Sequence, residues 1–434
     1  MLAIAGFLTV ICVVALILSK RVSVCVALCL VPIAAGILIG DGANLGAYIS
    51  EGIKTVSANA AMFSFSILFF GIMSDVGVFD VIVNRILKLI GKDPVKICIG
   101  AYVTAFIAHL DGAGAITCMI TLGAFLPIFR KMKMSTLNLL LIMGMVAGIM
   151  NAIPWGGPTM RAMVALGTST EETFTAMLPV LGVGLLIALA ITVIIGTKEK
   201  KRLGSELEHI SLELPKPEDL PPEQAALRRP KLLIINALLT VGAIVALLMG
   251  LLNNAAVFMV ATSIALIINF RKPADQLARI TAHAPNAMGM VSVIFSAGIL
   301  NGILTHSGMM EAMTTVLIGL IPNSMGRYMP ALVGVFSMPL GIVSDPDSFY
   351  YAMLPMLAEA GAAYGVPAVA FARAAMLGHS TVGWTISPLI STSFLMVGMA
   401  EVELGDYQKH SALILWGLSV CMLISAILFG LIPL

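Results

Sequence analysis

Residues 71–80 read GIMSDVGVFD, and residues 302–311 read GILTHSGMME at a constant offset of 231 positions. In each copy the string closes an apolar run and opens an amphipathic stretch, over 78–91 in the first copy and 309–321 in the second. Internal similarity at a fixed offset indicates a duplicated unit. The two amphipathic stretches favour helices that lie at a membrane interface.

The composition of the whole chain places it in a membrane. Of its 434 residues, 59% are hydrophobic and 11% are charged, against about 25% charged in a soluble domain. The net charge of +2 excludes a nucleic-acid binder, which needs a dense basic face to displace counterions. The uncharged first 19 residues lack a preceding basic segment and a following cleavage pattern, so we expect them to remain as the first span.

Charge-free runs that can form about 20 residues of helix predict ten membrane crossings. Two regions do not fit this count. Apolar stretches of 12 and 15 residues flank the polar tip at 109–114, and stretches of 16 and 11 residues flank 344–347. Because these arms are too short to span, we expect re-entrant helical hairpins over 97–129 and 328–360, whose irregular tips are satisfied by protein or a water-filled cavity.

Lysine and arginine residues give the chain an orientation. With both termini outside, 21 of the 25 basic residues lie on the cytoplasmic side, as the positive-inside rule requires. Residues 197–231 have a basic start, a proline-rich centre and a basic end, and we interpret them as a cytoplasmic linker. The linker separates a first membrane half, 1–196, from a second, 232–434. The predicted location is the cell (inner) membrane, crossed many times.

Each half contains five crossings, an odd number, so the second copy is expected to insert upside down. The order of parts also recurs, with an amphipathic stretch, a hairpin, an interrupted span and a plain closing span in each half. The sequence therefore predicts an all-α polytopic membrane protein with an inverted-topology repeat, two opposed re-entrant helical hairpins and two broken transmembrane helices. This architecture is typical of secondary transporters, whose sites lie where the broken helices of the two halves meet.

The first broken helix, predicted over 134–165, is interrupted by NAIPWGGPTMR at 151–161. Its prolines remove backbone donors and its glycines allow a turn, so backbone groups become free for a ligand. A helix that restarts there directs its positive end at an anion. The second broken helix, 366–400, has the same ingredients in another order. The predicted substrate-binding residues in these two helices are Asn151, Gly156, Gly157, Pro158, Thr159, Arg161, Arg373, His379 and Ser387.

Two arginines stand out in the broken helices. Arg161 and Arg373 are, with Lys54 and Arg327, the basic residues outside the predicted cytoplasmic segments. A charge within a span usually faces a cavity or a partner, and a guanidinium pairs bidentately with carboxylates. The pair therefore predicts an anion with several carboxylates. Capping of a span at the outer interface, or pairing with an internal Asp, is the alternative.

Carboxylates occupy both predicted hairpin tips, with Asp111 in the first and Asp345 and Asp347 in the second. Carboxylate oxygens are hard ligands, so Asp111, Asp345 and Asp347 are predicted to bind Mg²⁺ or Ca²⁺. Ser344 and Ser348, also at the second tip, are predicted to bind the substrate. Capping of the following helix is the alternative for the second tip.

Proton coupling has three candidates. His109 is one candidate because an unperturbed imidazole titrates near neutral pH, and burial would let the carboxyl groups of Asp111 and Asp347 take up a proton. A hydrogen-bonded structural role is the alternative for His109, as it is for His379.

Five strings spread along the chain are HLDGAG at 109–114, NAIPWGGPT at 151–159, DSFYY at 347–351, RAAMLG at 373–378 and VELGD at 402–406. Together they resemble the citrate-metal:proton symporter family (CitMHS), and the resemblance covers almost the whole chain. It implies a member of the ion transporter superfamily, with a dimeric scaffold and elevator-type transport domains. The implied activity is symport of protons with citrate complexed to a divalent cation.

The resemblance also sets the expected partners. They are a small carboxylate anion with its metal ion, the lipid bilayer and a second copy of the chain in a homodimer. No permanently bound cofactor is expected, because Mg²⁺ or Ca²⁺ travels with the substrate. Charge agrees with this cargo: each negative charge entering a negative cell costs about 2.3 kcal/mol per 100 mV, and a bound dication cancels two of the three on citrate.

One alternative within transport stays open, and two other classes of function are disfavoured. Within transport, the alternative is an H⁺- or Na⁺-coupled carrier of another di- or tricarboxylate or a hydroxy acid. An intramembrane enzyme is disfavoured because the chain contains no H-E-x-x-H, G-x-S-G or G-x-G-D string. A passive channel is disfavoured because opposed hairpins favour alternating access.

Overall fold

The computed structural model describes residues 1–19, 21–204, 222–250, 252–320 and 322–434. These residues form helices joined by short turns and contain no β-strand. A helix satisfies its own backbone hydrogen bonds, which is what a hydrocarbon environment requires of a spanning segment. The chain is an all-helical, multi-pass membrane protein, as predicted.

The longer helices form two groups on either side of residues 205–221, which lie outside the described residues. The first group is α1 Leu2–Ser19, α2 Val24–Leu38, α3 Leu45–Asp75, α4 Val78–Ile90, α5 Pro94–Ala108, α6 Gly114–Lys131, α7 Thr136–Met150, α8 Gly157–Leu166 and α9 Leu178–Leu203. The second group is α10 Leu233–Leu248, α11 Asn254–Asn269, α12 Pro273–His306, α13 Met309–Leu320, α14 Met329–Val343, α15 Leu354–Ala362, α16 Ala368–Met376, α17 Ser391–Ala400 and α18 Leu404–Leu428.

Helices that occupy corresponding positions in the two groups pack in a reciprocal pattern. Helix α3 packs along its counterpart α12, while α2 packs on α12 and α11 packs on α3. In the same way α1 contacts α13, and α10 contacts α4. A two-fold relation between the halves predicts this reciprocal pattern. Insertion of the halves in opposite directions remains a prediction.

Seven helical segments of the described residues are long and apolar enough to cross a membrane: Leu45–Asp75, Pro94–Asp111, Gly114–Lys131, Thr170–Leu203, Ala225–Leu248, Pro273–His306 and Leu404–Leu428. Two of these segments are the arms of the first predicted hairpin, so both arms are longer than the sequence indicated. The helices continue past the apolar stretches because Lys96 and Arg130 lie exposed near the ends of the arms, where long charged side chains reach water. Re-entrance of this hairpin remains a prediction.

The most extensive helix contact of the described residues, between α3 and α12, is built on glycine. A Cβ atom at Gly298 would lie 2.7 Å from the backbone oxygen of Gly52 and 2.9 Å from Cγ2 of Val56. A Cβ atom at Gly302 would collide with the carbonyl oxygen of Tyr48. Small residues four positions apart let two helix backbones approach closely in a membrane. These glycines therefore join the two halves.

Helix α9 continues through the first seven residues of the predicted 197–231 linker. Its last turns are fixed to neighbouring helices. Glu199 is 4% exposed and accepts a 2.7 Å hydrogen bond from Nδ2 of Asn138 in α7. Nζ of Lys200 donates to Oδ2 of Asp93 over 2.7 Å, just before α5, and this hydrogen bond lowers the pKa of Asp93. The helix therefore ties together the starts of the first hairpin and the first broken helix.

We expect Gly298→Ala to destabilise the protein by roughly 1–3 kcal/mol. The added Cβ atom meets a backbone carbonyl, which cannot move without separating α3 from α12. The measurement is the temperature at which the detergent-solubilised protein loses its monodisperse peak in size-exclusion chromatography.

Gly289→Ala is the matched control. Gly289 lies in the same helix, and a Cβ atom there has no heavy atom within 4 Å. Equal melting temperatures for the two variants would show that the α3–α12 contact tolerates separation.

Candidate functional site

Both predicted breaks interrupt the α-helices. Residues 151–156 separate α7 from α8, and residues 377–390, which include a short 3₁₀ helix at Trp384–Ile386, separate α16 from α17. The two segments touch. Nδ2 of Asn151 donates a 2.6 Å hydrogen bond to the carbonyl oxygen of Ser380. A Cβ atom at Gly148 would lie only 2.7 Å from Cα of Val382. The halves of the chain therefore meet at their breaks.

The first break follows from its local sequence. Pro154 and Pro158 have no amide hydrogen to continue a helix, and Pro158 occupies the first turn of α8, where it is tolerated. A side chain at Gly156 would collide with the carbonyl of Asn151. Oγ1 of Thr159 donates to the carbonyl oxygen at position 152 over 2.8 Å. The residues of this string therefore shape the turn as well as line it.

The first hairpin tip is fastened to the first break. Nδ1 of His109 is 2.8 Å from Oγ1 of Thr117, and Nε2 is 3.4 Å from Oδ1 of Asn151. Oδ1 of Asp111 accepts a 2.8 Å hydrogen bond from the amide of Ala113. Its second oxygen has no hydrogen-bond partner among the described residues. Both histidine nitrogens are engaged, while the aspartate keeps one free oxygen.

The second hairpin tip is fastened to the second break through a fully buried histidine. The ring of His379 stacks on Phe349 with the centroids 4.0 Å apart. Its Nε2 is 3.0 Å from Oγ of Ser344, and its Nδ1 is 3.0 Å from Oγ of Ser380. The hydroxyl of Tyr350 donates to its carbonyl oxygen over 2.9 Å. A partner on every polar group makes His379 a positioning residue.

Several polar atoms of the second tip and of the second break have no hydrogen-bond partner in the described residues. Oδ1 of Asp345 accepts from the amides of Asp347 and Ser348, both at 3.0 Å, so Asp345 caps the turn that follows, in agreement with the capping alternative. Its Oδ2 and the Oγ of Ser348 are buried and unpartnered, as are Oγ1 of Thr381 and Nε1 of Trp384. Buried polar atoms without a partner are costly, so these atoms indicate a surface suited to a polar ligand.

An ion pair joins the two halves at this site. Nε of Arg161, from α8, lies 2.7 Å from Oδ1 of Asp347, from the second hairpin tip. The two side chains are 14% and 15% exposed. The prediction left open whether this arginine faces a ligand or an internal aspartate. In this structure its partner is the aspartate.

Two predicted substrate residues do not join this cluster. Nε and Nη2 of Arg373 donate to the carbonyl oxygen of Glu172 at 3.0 and 2.7 Å, and Nη1 donates to that of Leu431 at 2.9 Å. With three nitrogens bound to backbone carbonyls at or just beyond helix ends, Arg373 has a capping role, which is the alternative that the sequence allowed. Oγ of Ser387 accepts from the amide of Leu389 at 3.3 Å.

The three predicted metal ligands are not assembled into one centre. Within the described ranges, no three His, Cys, Asp or Glu side chains lie close enough together to hold a metal ion. Asp111, Asp345 and Asp347 therefore do not form such a group. A cation that arrives with a chelating substrate needs fewer protein ligands, because the substrate supplies oxygens of its own.

Aromatic residues in the same strings hold the site together, and they were not predicted as site residues. Nε1 of Trp155 donates to the carbonyl oxygen of Leu110 over 2.8 Å and so binds the first break to the first hairpin tip. The ring of Trp384 stacks on His109 with centroids 6.4 Å apart. The available signal was the presence of tryptophan inside polar, non-helical strings, where its indole N–H needs a partner.

An all-helical membrane fold with interrupted helices and opposite charges at their meeting point defines a membrane transporter. The crystal structure of the Alcanivorax borkumensis YdaH transporter has the same fold, with a TM-score of 0.59 and 13% sequence identity over 91% of this chain and 90% of that chain. The identity is too low to carry more than the fold.

The model of the CitMHS family, described as citrate transporter, matches residues 4–378. The chain belongs to this family, and it is a transporter and not an enzyme. Two Bacillus subtilis relatives span it almost completely. One, named citrate transporter, is 41% identical over 100% of both chains, and the other, named Mg(2+)/citrate complex secondary transporter, is 38% identical over 98% of both chains.

We expect Asn151→Leu to lower the free energy of unfolding by about 1–3 kcal/mol. The substitution keeps the number and branching of the side-chain heavy atoms but leaves the buried carbonyl of Ser380 without its donor. Thermal unfolding of the purified protein measures the effect.

Asn286→Leu serves as the control, because Asn286 lies exposed on α12. If both variants unfolded at the wild-type temperature, the hydrogen bond between the breaks would be dispensable.

Proposed function

We propose that this chain is a secondary active transporter that moves citrate, complexed with a divalent metal ion, together with protons. The proposal rests on the family and on the relative whose name specifies a Mg²⁺–citrate complex. One observation in the site carries it, namely an arginine and an aspartate of opposite charge at the contact between the first broken helix and the second hairpin tip. A cargo with both an anionic and a cationic part suits such a pair.

Each part of the cargo has suitable partners. Arg161 binds a citrate carboxylate, since its planar fork matches that group. The free oxygens of Asp345 and Ser348, together with Asp347, offer hard ligands to the metal ion. Asn151 and Ser344 present further polar atoms from the break and the tip.

Proton coupling is assigned to the carboxyl groups of Asp111 and Asp347. One oxygen of Asp111 is bound by a backbone amide, and the other is free to exchange a proton. His109 positions the first tip, because Thr117 and Asn151 occupy both of its ring nitrogens.

The mechanism proposed is elevator-type alternating access, in which hairpins and broken helices move along a scaffold. A cavity of about 300 Å³ lies between the glycine-rich faces of α3 and α12 and the neighbouring parts of α8, α15 and α16. Across this boundary, Nδ2 of Asn301 donates to the carbonyl oxygen of Ala165 over 3.2 Å. Loose packing of this kind supports sliding of one body against the other, since tightly interlocked interfaces resist it.

The proposed setting is a homodimer in the cell membrane with both termini outside and residues 197–231 in the cytoplasm. The distribution of basic residues supports this orientation. The seven residues of α9 that enter the 197–231 segment include three lysines and an arginine, which suits a helix end leaving the membrane on the cytoplasmic side.

Uptake of labelled citrate into proteoliposomes tests the function. We expect uptake to require a divalent ion, tested as Mg²⁺, Ca²⁺ and an EDTA control, and to rise when the outside is made more acidic than the inside. Uptake that is indifferent to every divalent ion would favour a carrier of the free anion. Uptake that ignores the pH gradient would remove the proton from the mechanism.

Two arginine variants distinguish the site from the scaffold. We expect Arg161→Gln to reduce citrate uptake at least about 30-fold, equivalent to roughly 2 kcal/mol, because a desolvated charge pair with the substrate is lost. Arg373→Gln should lower the melting temperature but leave uptake per folded molecule unchanged, because this guanidinium binds backbone carbonyls.

Initial uptake rates, normalised to the folded protein recovered after reconstitution, make the comparison. Full activity in Arg161→Gln would exclude the proposed site. An equal loss in Arg373→Gln would extend the site to that residue.

A further inference from the structure

The ion pair between Arg161 and Asp347 engages only one polar atom of each side chain. It uses only Nε of the guanidinium and Oδ1 of the carboxylate. The terminal nitrogens of Arg161 and Oδ2 of Asp347 have no hydrogen-bond partner among the described residues, and they are not fully buried. These atoms therefore remain accessible while the pair is formed. Each charged group therefore keeps polar atoms that the ion pair does not use.

The pair disfavours ligands of a single charge sign. A bare carboxylate that displaces Asp347 from Arg161 leaves the aspartate without its partner at a position only 15% exposed, and one that binds the free terminal nitrogens places a second negative charge beside it. A bare dication that takes Asp347 strands Arg161 in the same way. Leaving one member of a desolvated ion pair uncompensated is strongly unfavourable. A ligand that carries both signs replaces both partners in one step and strands neither.

We propose that the Arg161–Asp347 ion pair is a charge lock that a metal-chelated carboxylate opens and that neither the free carboxylate nor the free metal ion opens. This inference rests on the proposed function and deepens it, because it names the residues that make the complex, and not its components, the substrate. The carboxylate binds Arg161 and the metal ion binds Asp347, so the lock is exchanged for two new pairs of the same signs.

The surroundings of each charge fit this exchange. On the side of Asp347, Oγ of Ser348 and Oδ2 of Asp345 are buried and have no hydrogen-bond partner in the described residues. Oxygen atoms of this kind complete the coordination of Mg²⁺ or Ca²⁺. On the other side, the free terminal nitrogens of Arg161 present the fork that a carboxylate binds. The two parts of the cargo therefore have separate places.

The lock also links the halves of the molecule. Arg161 belongs to the first broken helix, and Asp347 belongs to the second hairpin tip. Ligand exchange at the pair replaces a direct contact between these elements with a contact through the cargo. Binding of the cargo therefore changes the contact between the two halves.

Binding of labelled citrate to the purified protein in nanodiscs tests the lock, with either Mg²⁺ or EDTA present. The wild type should bind citrate at least about tenfold more tightly with Mg²⁺ than with EDTA. In Asp347→Asn, binding of citrate to Arg161 no longer leaves an unpaired carboxylate at position 347. The affinity of this variant for free citrate in EDTA should rise about tenfold over wild type, and the effect of Mg²⁺ should shrink.

Asp406→Asn is the matched control, since Asp406 is an exposed carboxylate paired at 3.9 Å with Lys409. It should keep the Mg²⁺ requirement of the wild type. If Asp347→Asn does not fold, Arg161→Gln decides in its place. This variant should bind Mg²⁺ alone about tenfold more tightly than wild type, measured by calorimetry, because Asp347 is then unlocked.

Three results would overturn the lock. An unchanged Mg²⁺ requirement in Asp347→Asn, or an unchanged Mg²⁺ affinity in Arg161→Gln, would do so and leave metal–citrate transport standing. Wild-type binding of citrate that is equal in Mg²⁺ and EDTA would also do so. A wild type that binds no citrate under either condition would reject the proposed function, and the lock with it.

Discussion

Every backbone polar group at membrane depth needs a hydrogen-bond partner, and this requirement organises the site. A continuous helix meets it internally, but residues 151–156 and 377–390 interrupt the α-helices. Local turns within the breaks satisfy some of these groups, and neighbouring elements satisfy others: Asn151 donates to the carbonyl of Ser380, and Gln408 of α18 donates to that of Ile386. Because each unsatisfied group in hydrocarbon costs several kcal/mol, the contact between the two breaks stabilises both.

Small residues make that contact possible. Gly148 lets α7 approach the second break, and Gly298 and Gly302 let α12 approach α3. The first contact brings the interrupted segments together, and the second holds the two halves at the distance that this meeting requires. Side-chain volume at these positions therefore controls the polar chemistry of the site through backbone geometry. A methyl group at a glycine crossing acts on the hydrogen bonds of the breaks as well as on local packing.

Much of this arrangement was predictable, because the signals are local. Prolines and glycines at 154–158 mark the first break, the 231-residue offset marks the duplication, and a polar string in an apolar run marks each tip. The directions of side chains were not predictable in the same way. Arg161 and Arg373 look equivalent along the chain, yet one meets a carboxylate and the other meets backbone carbonyls. That difference arises from helix rotation and from segments distant in sequence, which no linear pattern records.

The two hairpin tips are held by different physics, although the halves share one order of parts. The first tip is fastened by neutral hydrogen bonds, from His109 to Asn151 and from Trp155 to Leu110. The second tip has a comparable neutral bond, from Ser344 to His379, and in addition the charged link to Arg161. Neutral bonds respond little to the charge of a ligand, whereas an ion pair with low exposure responds strongly, since its Coulomb energy grows as the local dielectric falls. The position of the second hairpin tip therefore depends more strongly on the charge of a bound ligand than that of the first. The two halves share one order of parts but differ in the charge of the contacts that hold their tips.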